Sequence, residues 1–159
     1  MKTRAKTWDI ENIFAIPLKD GTYTLGQVVG REKEVLNSIT CAFYKTRFND
    51  LELKDISIIP NISDLLSVQF VSPDLLKSRK WVVLGKEKVN IPKAHFPYEE
   101  TRKNGWVGAK VIGSGIMVHF LNAYYGLEPW DMMYKPDYFD KLLINNELKP
   151  SDLLYKNAT

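Results

Sequence analysis

The side chains best able to do chemistry in this 159-residue chain are two histidines, His95 and His119, one cysteine, Cys41, and the adjacent carboxylates Glu99 and Glu100. A metal needs converging ligands, and His or Cys pairs three or four residues apart are the usual local way to supply them. Neither histidine has such a neighbour, so no zinc-type site is expected. Cys41, His119 and an Asp could be assembled in space as a nucleophile and its base. Cys41, however, lies mid-strand among apolar neighbours, where a thiol is a small buried hydrophobe rather than a reactive thiolate. Consecutive side chains diverge in any regular backbone, so Glu99 and Glu100 read as part of a solvated loop and not as an acid–base dyad. No catalytic, cofactor-binding or metal-ligating residue is assigned, and no cofactor is expected.

The glycines carry no phosphate-binding pattern. Gly113-Ser114-Gly115 lacks the lysine of a Walker loop and the third glycine of a dinucleotide fingerprint, and reads as a turn. The aromatic-rich run Ala123 to Tyr134 reads as core, with Trp130 inside it. Basic residues between 77 and 103 alternate with Trp81, His95, Phe96 and Tyr98, which would permit stacking on a single-stranded nucleic acid. No three basic residues are adjacent there and the net charge is only +3, so nucleic acid remains a minor reading.

These residues must be positioned by the elements around them. The clearest local instruction is Asn12 to Gly30, where two apolar-rich arms flank Lys19-Asp20-Gly21. Asp-Gly favours the positive φ of a tight hairpin turn. In the second arm Tyr23, Leu25, Gln27 and Val29 face one way and Thr22, Thr24, Gly26 and Val28 the other, one side buried and one wet. Gly26 marks a bulge or a close backbone approach. Ser38 to Lys45 alternates as a third strand with Ile39, Cys41 and Phe43 on one face. Ser63 to Leu66 reads as a capped turn, Val68 to Val71 as a further strand, and Trp81 to Leu84 as a strand covered on both faces. Residues 86–105 form an irregular basic excursion, and Lys110 to Ile112 a short strand. Ile116 to Tyr125 then switches to helical period and stops at Gly126, with a strand-first reading of Ile116 to Leu121 as the alternative. Pro136 with Tyr138, Leu142 and Leu143 predicts a second helix, and Ser151 to Tyr155 a last turn. Trp8 is expected to cover one end of the core.

Together these elements predict one α+β domain over residues 1–159. Its first half is an antiparallel, strongly curved sheet, in the limit a small barrel, and its helices fall in the last third. A hydrophobic fraction of 45% with 26% charge supports a packed core without metals or disulfides. The single cysteine suits a reducing compartment, the cytoplasm. No apolar core follows the charges of MKTRAKTWDI and no 18-residue apolar run occurs, so neither a signal peptide nor a membrane span is expected.

With these motifs in hand, the chain resembles the bacterial immunity protein 26 family of polymorphic toxin systems. Asp9-Ile-Glu-Asn-Ile-Phe-Ala-Ile-Pro-Leu-Lys-Asp-Gly-Thr-Tyr23 through Gly26-Gln-Val-Val-Gly30 is similar to that family's opening. Ile39 to Tyr44 resembles its next strand, and Leu76 to Gly85 its tryptophan-and-glycine strand. Gly126-Leu127, Trp130 and Pro136 to Leu142 resemble its closing helix. The chain departs in having Asn12 where the family commonly places Gly-Asp, and in the long basic segment 86–105. The resemblance implies a cytoplasmic, non-catalytic protein that binds and neutralises a cognate toxin domain. Toxin barrels of the PemK/MazF ribonuclease type share the hairpin, so such an enzyme is the alternative, with a small nucleic-acid-binding β module as a third reading. The resemblance carries over no contact residues. Arg102, Lys103 and Trp106 are the expected toxin-binding residues, because arginine and tryptophan dominate interface energetics and a cationic loop speeds encounter with an acidic partner.

Overall fold

The hairpin is built around its glycines. In the computed structural model, which describes residues 8–32, 38–49, 51, 60–92, 95 and 110–156, strand β1 (Asn12–Pro17) pairs antiparallel with β2 (Tyr23–Glu32). The Leu18 N–H donates to the Thr22 carbonyl at 2.8 Å and the Gly21 N–H to the Leu18 carbonyl at 3.1 Å. Gly21 has φ +85° and Asp20 has no positive φ. The loop is therefore a three-residue turn ending in a left-handed glycine, not the two-residue turn that Asp-Gly alone suggests. The Asp20 carboxylate accepts from the Thr22 hydroxyl (2.6 Å) and amide (3.1 Å) and pairs with Arg47. The Thr22 bonds, with the Arg47 charge behind them, hold this carboxyl below its ordinary value.

Strand β3 (Ser38–Phe48) pairs with β2, and β4 (Leu65–Val71) with β3, both antiparallel. Helix α1 (Asp74–Lys77) then carries the chain across to β5 (Val82–Lys86), which pairs with the outer edge of β1. Strand β6 (Val111–Ile112) lies parallel to β4 and leads into helix α2 (Ser114–Tyr124), which Gly126 (φ +77°) terminates. The order is β5-β1-β2-β3-β4-β6, an open sheet. The architecture is α+β as expected, but the strongly curved, barrel-like sheet is not found. Closure needs the outermost strands to pair with each other, whereas β5 and β6 take opposite edges.

Both faces of the sheet are buried, which corrects the expectation of one wet face. On the first, Phe14, Ile16, Val28, Ile39, Cys41 and Phe43 pack with Trp81, α2, Trp130 and Phe139, with Trp8 half-buried against them. On the second, Ile13, Leu25, Val29, Ala42, Tyr44 and Val68 are covered in part by Leu84, Val89, Ile91 and Ile144. Of the buried polar side chains of the sheet, Gln27 and Asn12 are bonded internally, whereas the Ser38 and Thr40 hydroxyls have no hydrogen-bond partner among the described residues. Buried Gln27 donates to the Glu87 carbonyl (2.8 Å) and accepts from the Tyr44 hydroxyl (3.2 Å). Buried Asn12 accepts from the Asp9 amide and donates to the Gly85 carbonyl at 3.2 Å, tying the lead-in to β5.

Several local expectations shift. Strand β5 is an edge, with Val83 36% exposed, and only the preceding Trp81 is deeply buried. The turn before β4 is a 3₁₀ turn, Ile62–Asp64, capped by the Asn61 side chain rather than by Ser63. Ser114 and Gly115 lie inside α2 rather than in a break. The helix expected after Pro136 is a 3₁₀ segment, Phe139–Leu142. Tertiary bonds claim its backbone after one turn: Leu143 is extended, and the Ile144 N–H donates to the Leu66 carbonyl of β4 at 2.9 Å. Residues 151–155 form no helix. The 86–105 excursion is irregular over residues 87–92, and most of its remainder lies outside the described residues.

Gly26 makes the close approach its position suggests. A Cβ there would lie 2.5 Å from two ring atoms of Phe14, and that ring is stacked on Trp81 at 5.0 Å and cannot withdraw. Gly26→Ala is expected to destabilise by about 2 kcal/mol through overpacking. A lowered urea midpoint with unchanged slope would report it.

Candidate functional site

A cleft of about 480 Å³ opens beside β6, between the sheet edge and residues 133–142. Its apolar lining comes from Ile112, Leu142 and Met133, with the Tyr138 ring alongside. Lys110, Lys135 and Lys141, all exposed, surround it, and Tyr134 is 99% exposed on its lining. Among the described residues neither Lys110 nor Lys135 has a carboxylate within salt-bridge reach. Lys141 has Asp137 at 3.8 Å, with both side chains more than half exposed, so that pair contributes little.

Two sets of bonds hold the walls. Gln69 of β4 donates to the Leu142 carbonyl at 3.2 Å, fixing the 139–142 segment to the sheet. On the other side the Ser72 hydroxyl donates to Asp74 Oδ1 (2.5 Å) and accepts from the Ser114 amide (2.9 Å), while the Ser114 hydroxyl also donates to Asp74 Oδ1 (2.7 Å). The Ser72 amide in turn donates to the Ile112 carbonyl at 3.1 Å. This knot joins the end of β4 to the β6–α2 junction next to Ile112, with Lys110 just before β6. Burial pushes the Asp74 carboxyl up, but the two serine hydroxyls, assisted by the backbone and the Lys77 charge, outweigh it and leave the group below its ordinary value.

The second polar cluster sits where the hairpin tip meets α2. Glu128, 5% exposed, takes His119 Nδ1 on both oxygens (2.9 and 3.0 Å) and lies 3.4 Å from the Lys19 ammonium. The Lys19 amide donates to Asn122 Oδ1 at 2.9 Å. A carboxylate-held imidazole is the geometry of a general base, and His119 lines a hollow of about 340 Å³. The other residues lining it are Pro17, Leu75, Lys80, Trp81, Gly115 and Val118, with no serine, threonine, cysteine or carboxylate for such a base to act on. The cluster fastens the hairpin to the helix. The Thr24 hydroxyl extends this fastening to the Tyr125 phenol (2.9 Å), beneath the Arg47 guanidinium at 5.1 Å. Burial pushes that phenol up to about 12.

Cys41 is fully buried and burial drives its thiol far up, so it stays protonated and unreactive. Trp130 is a core residue, its indole N–H donating to Asp140 at 2.7 Å. No three His, Cys, Asp or Glu side chains among the described residues are grouped to hold a metal ion. Arg102, Lys103 and Trp106, together with Glu99 and Glu100, lie outside the described residues. The expectation that the Ala123 to Tyr134 run is core holds for Trp130 but not for its last residue, Tyr134, which is 99% exposed, and only folding brings Tyr134, Lys135 and Lys141 beside Lys110.

The cleft offers apolar contact, phenols and ammonium groups, which is the chemistry of binding. The family model described as Immunity protein 26 matches residues 12–106, and the chain belongs to that family. The match covers β1 to β5; β6, α2 and the 133–142 wall follow it. No curated protein and no solved structure gives a significant match. Among the described residues no helix is long and apolar enough to cross a membrane.

Because the folded Asp74 carboxyl titrates below its unfolded value, its stabilisation is complete above about pH 4 and is lost as pH falls through the lower folded value. Urea midpoints of the wild type and Asp74→Asn should therefore differ at pH 7, with the wild type more stable, and converge towards pH 2.

Proposed function

We propose that this protein binds the toxin domain of a bacterial polymorphic toxin system in the cytoplasm and neutralises it without catalysis. The family match over residues 12–106 carries this reading. The cleft chemistry supports it, since the lining residues offer recognition groups and no nucleophile–base pair. The toxin-facing surface includes Arg102, Lys103 and Trp106, where a guanidinium and an indole would supply binding energy and the positive charge would steer an acidic toxin face.

Expression of the gene immediately upstream should arrest growth, and co-expression of this chain should restore it. A purified sample that cleaves RNA without added metal, or slows growth when expressed alone, would instead identify a PemK/MazF-like ribonuclease. In surface-binding kinetics against that toxin domain, Arg102→Ala with Lys103→Ala should slow association and flatten its salt dependence, whereas Trp106→Ala should mainly speed dissociation. Unchanged association in the double variant would remove this segment from the interface.

A further inference from the structure

Resting on the immunity reading, we propose that the cleft beside β6 is a docking site for an acidic segment of the toxin, which inserts one apolar side chain between the lysines. Charge and shape select this occupant. Three exposed ammonium groups, Lys110, Lys135 and Lys141, surround a floor of Ile112 and Leu142. Two of the three have no carboxylate partner among the described residues, in contrast to Lys149, which is paired with Asp140 at 2.9 Å. A carboxylate-bearing segment would neutralise them, while an aliphatic or aromatic side chain would fill the floor between them.

Tyr134 has 99% of its surface exposed on the lining of this cleft. A tyrosine left fully in water gains most from being covered, because its ring adds large apolar contact at low entropic cost while its hydroxyl keeps a hydrogen bond. Aromatic and basic side chains together would also suit a single-stranded nucleic acid. The apolar floor favours a protein side chain over a phosphate backbone, and the family is one of immunity proteins.

The full-length chain should be titrated against the product of the gene immediately upstream, using Lys135→Glu with Lys141→Glu, Tyr134→Ala, and a control pair, Lys80→Glu with Lys88→Glu, that changes net charge equally elsewhere. All five side chains are exposed, so unchanged circular dichroism and urea midpoints are expected. The cleft pair should weaken binding by at least about tenfold, chiefly through slower, less salt-dependent association, and Tyr134→Ala should raise the dissociation rate by about tenfold. The control pair should bind as the wild type does. If the wild type binds and the cleft variants bind equally well, or if the control pair loses as much as the cleft pair, the docking site is wrong while the immunity reading stands. If the wild type fails to bind, both fall. Tight binding of a fluorescein-labelled single-stranded RNA that the cleft pair abolishes would make nucleic acid the occupant and overturn the proposal.

Discussion

The position of one ring, that of Phe14, constrains much of the sheet. It stacks on Trp81 at 5.0 Å with an 8° tilt, meets Phe43 edge-on at 6.5 Å, and fills the space over the missing side chain of Gly26. A single contact cluster thus locks β1, β2, β3 and the entry to β5 in register. Sliding any of these strands by one residue would turn Phe14 or its partners onto the opposite face. Because Trp81 lies against Phe14, β5 is delivered to the outer edge of β1. The chain must then return across the sheet to place β6 beside β4, and the open topology follows from that return.

The return also explains where the cleft lies. β6 is only two residues long and parallel to β4, a weak pairing on its own. The bonds among Ser72, Asp74 and Ser114 reinforce it by satisfying the junction on which α2 begins. On the far wall, the core claims Phe139 and Leu142 and the backbone of Ile144 bonds to β4, so the 3₁₀ segment cannot extend into a full helix that would fill the gap. The hollow is what remains between two walls that are each fixed independently to β4.

Among the described residues, four groups with latent reactivity are engaged in structural contacts. Cys41 is sealed in the first core, His119 is held by a buried carboxylate that also faces Lys19, and the Asp74 and Asp140 carboxylates are occupied by hydroxyl, indole and ammonium donors. What the molecule presents to solvent around the cleft is positive charge on exposed lysine side chains beside an exposed phenol. Such groups can engage a partner through Coulomb attraction and apolar contact, which is compatible with membership of the Immunity protein 26 family.

Elements that were legible in the sequence are those governed by local rules. Gly21 and Gly126 are where positive φ was needed. Alternation in Ser38 to Lys45 marked β3 with Ile39, Cys41 and Phe43 on one face, and the 3.6-residue period after Ile116 marked α2. Periodicity records which side chains are apolar, but not what covers them. So the sequence could not show that the face bearing Leu25 and Val29 is buried as well, that Trp81 to Leu84 ends at an edge, or that Pro136 opens only a 3₁₀ turn. The cleft was invisible for the same reason. Gln69, Lys110, Tyr134 and Lys141 share no period or motif, and they become neighbours only because the parallel β4–β6 pairing and the Gln69–Leu142 bond bring distant segments together. Long-range pairing is a property of the whole packed chain, and no window of adjacent residues contains it.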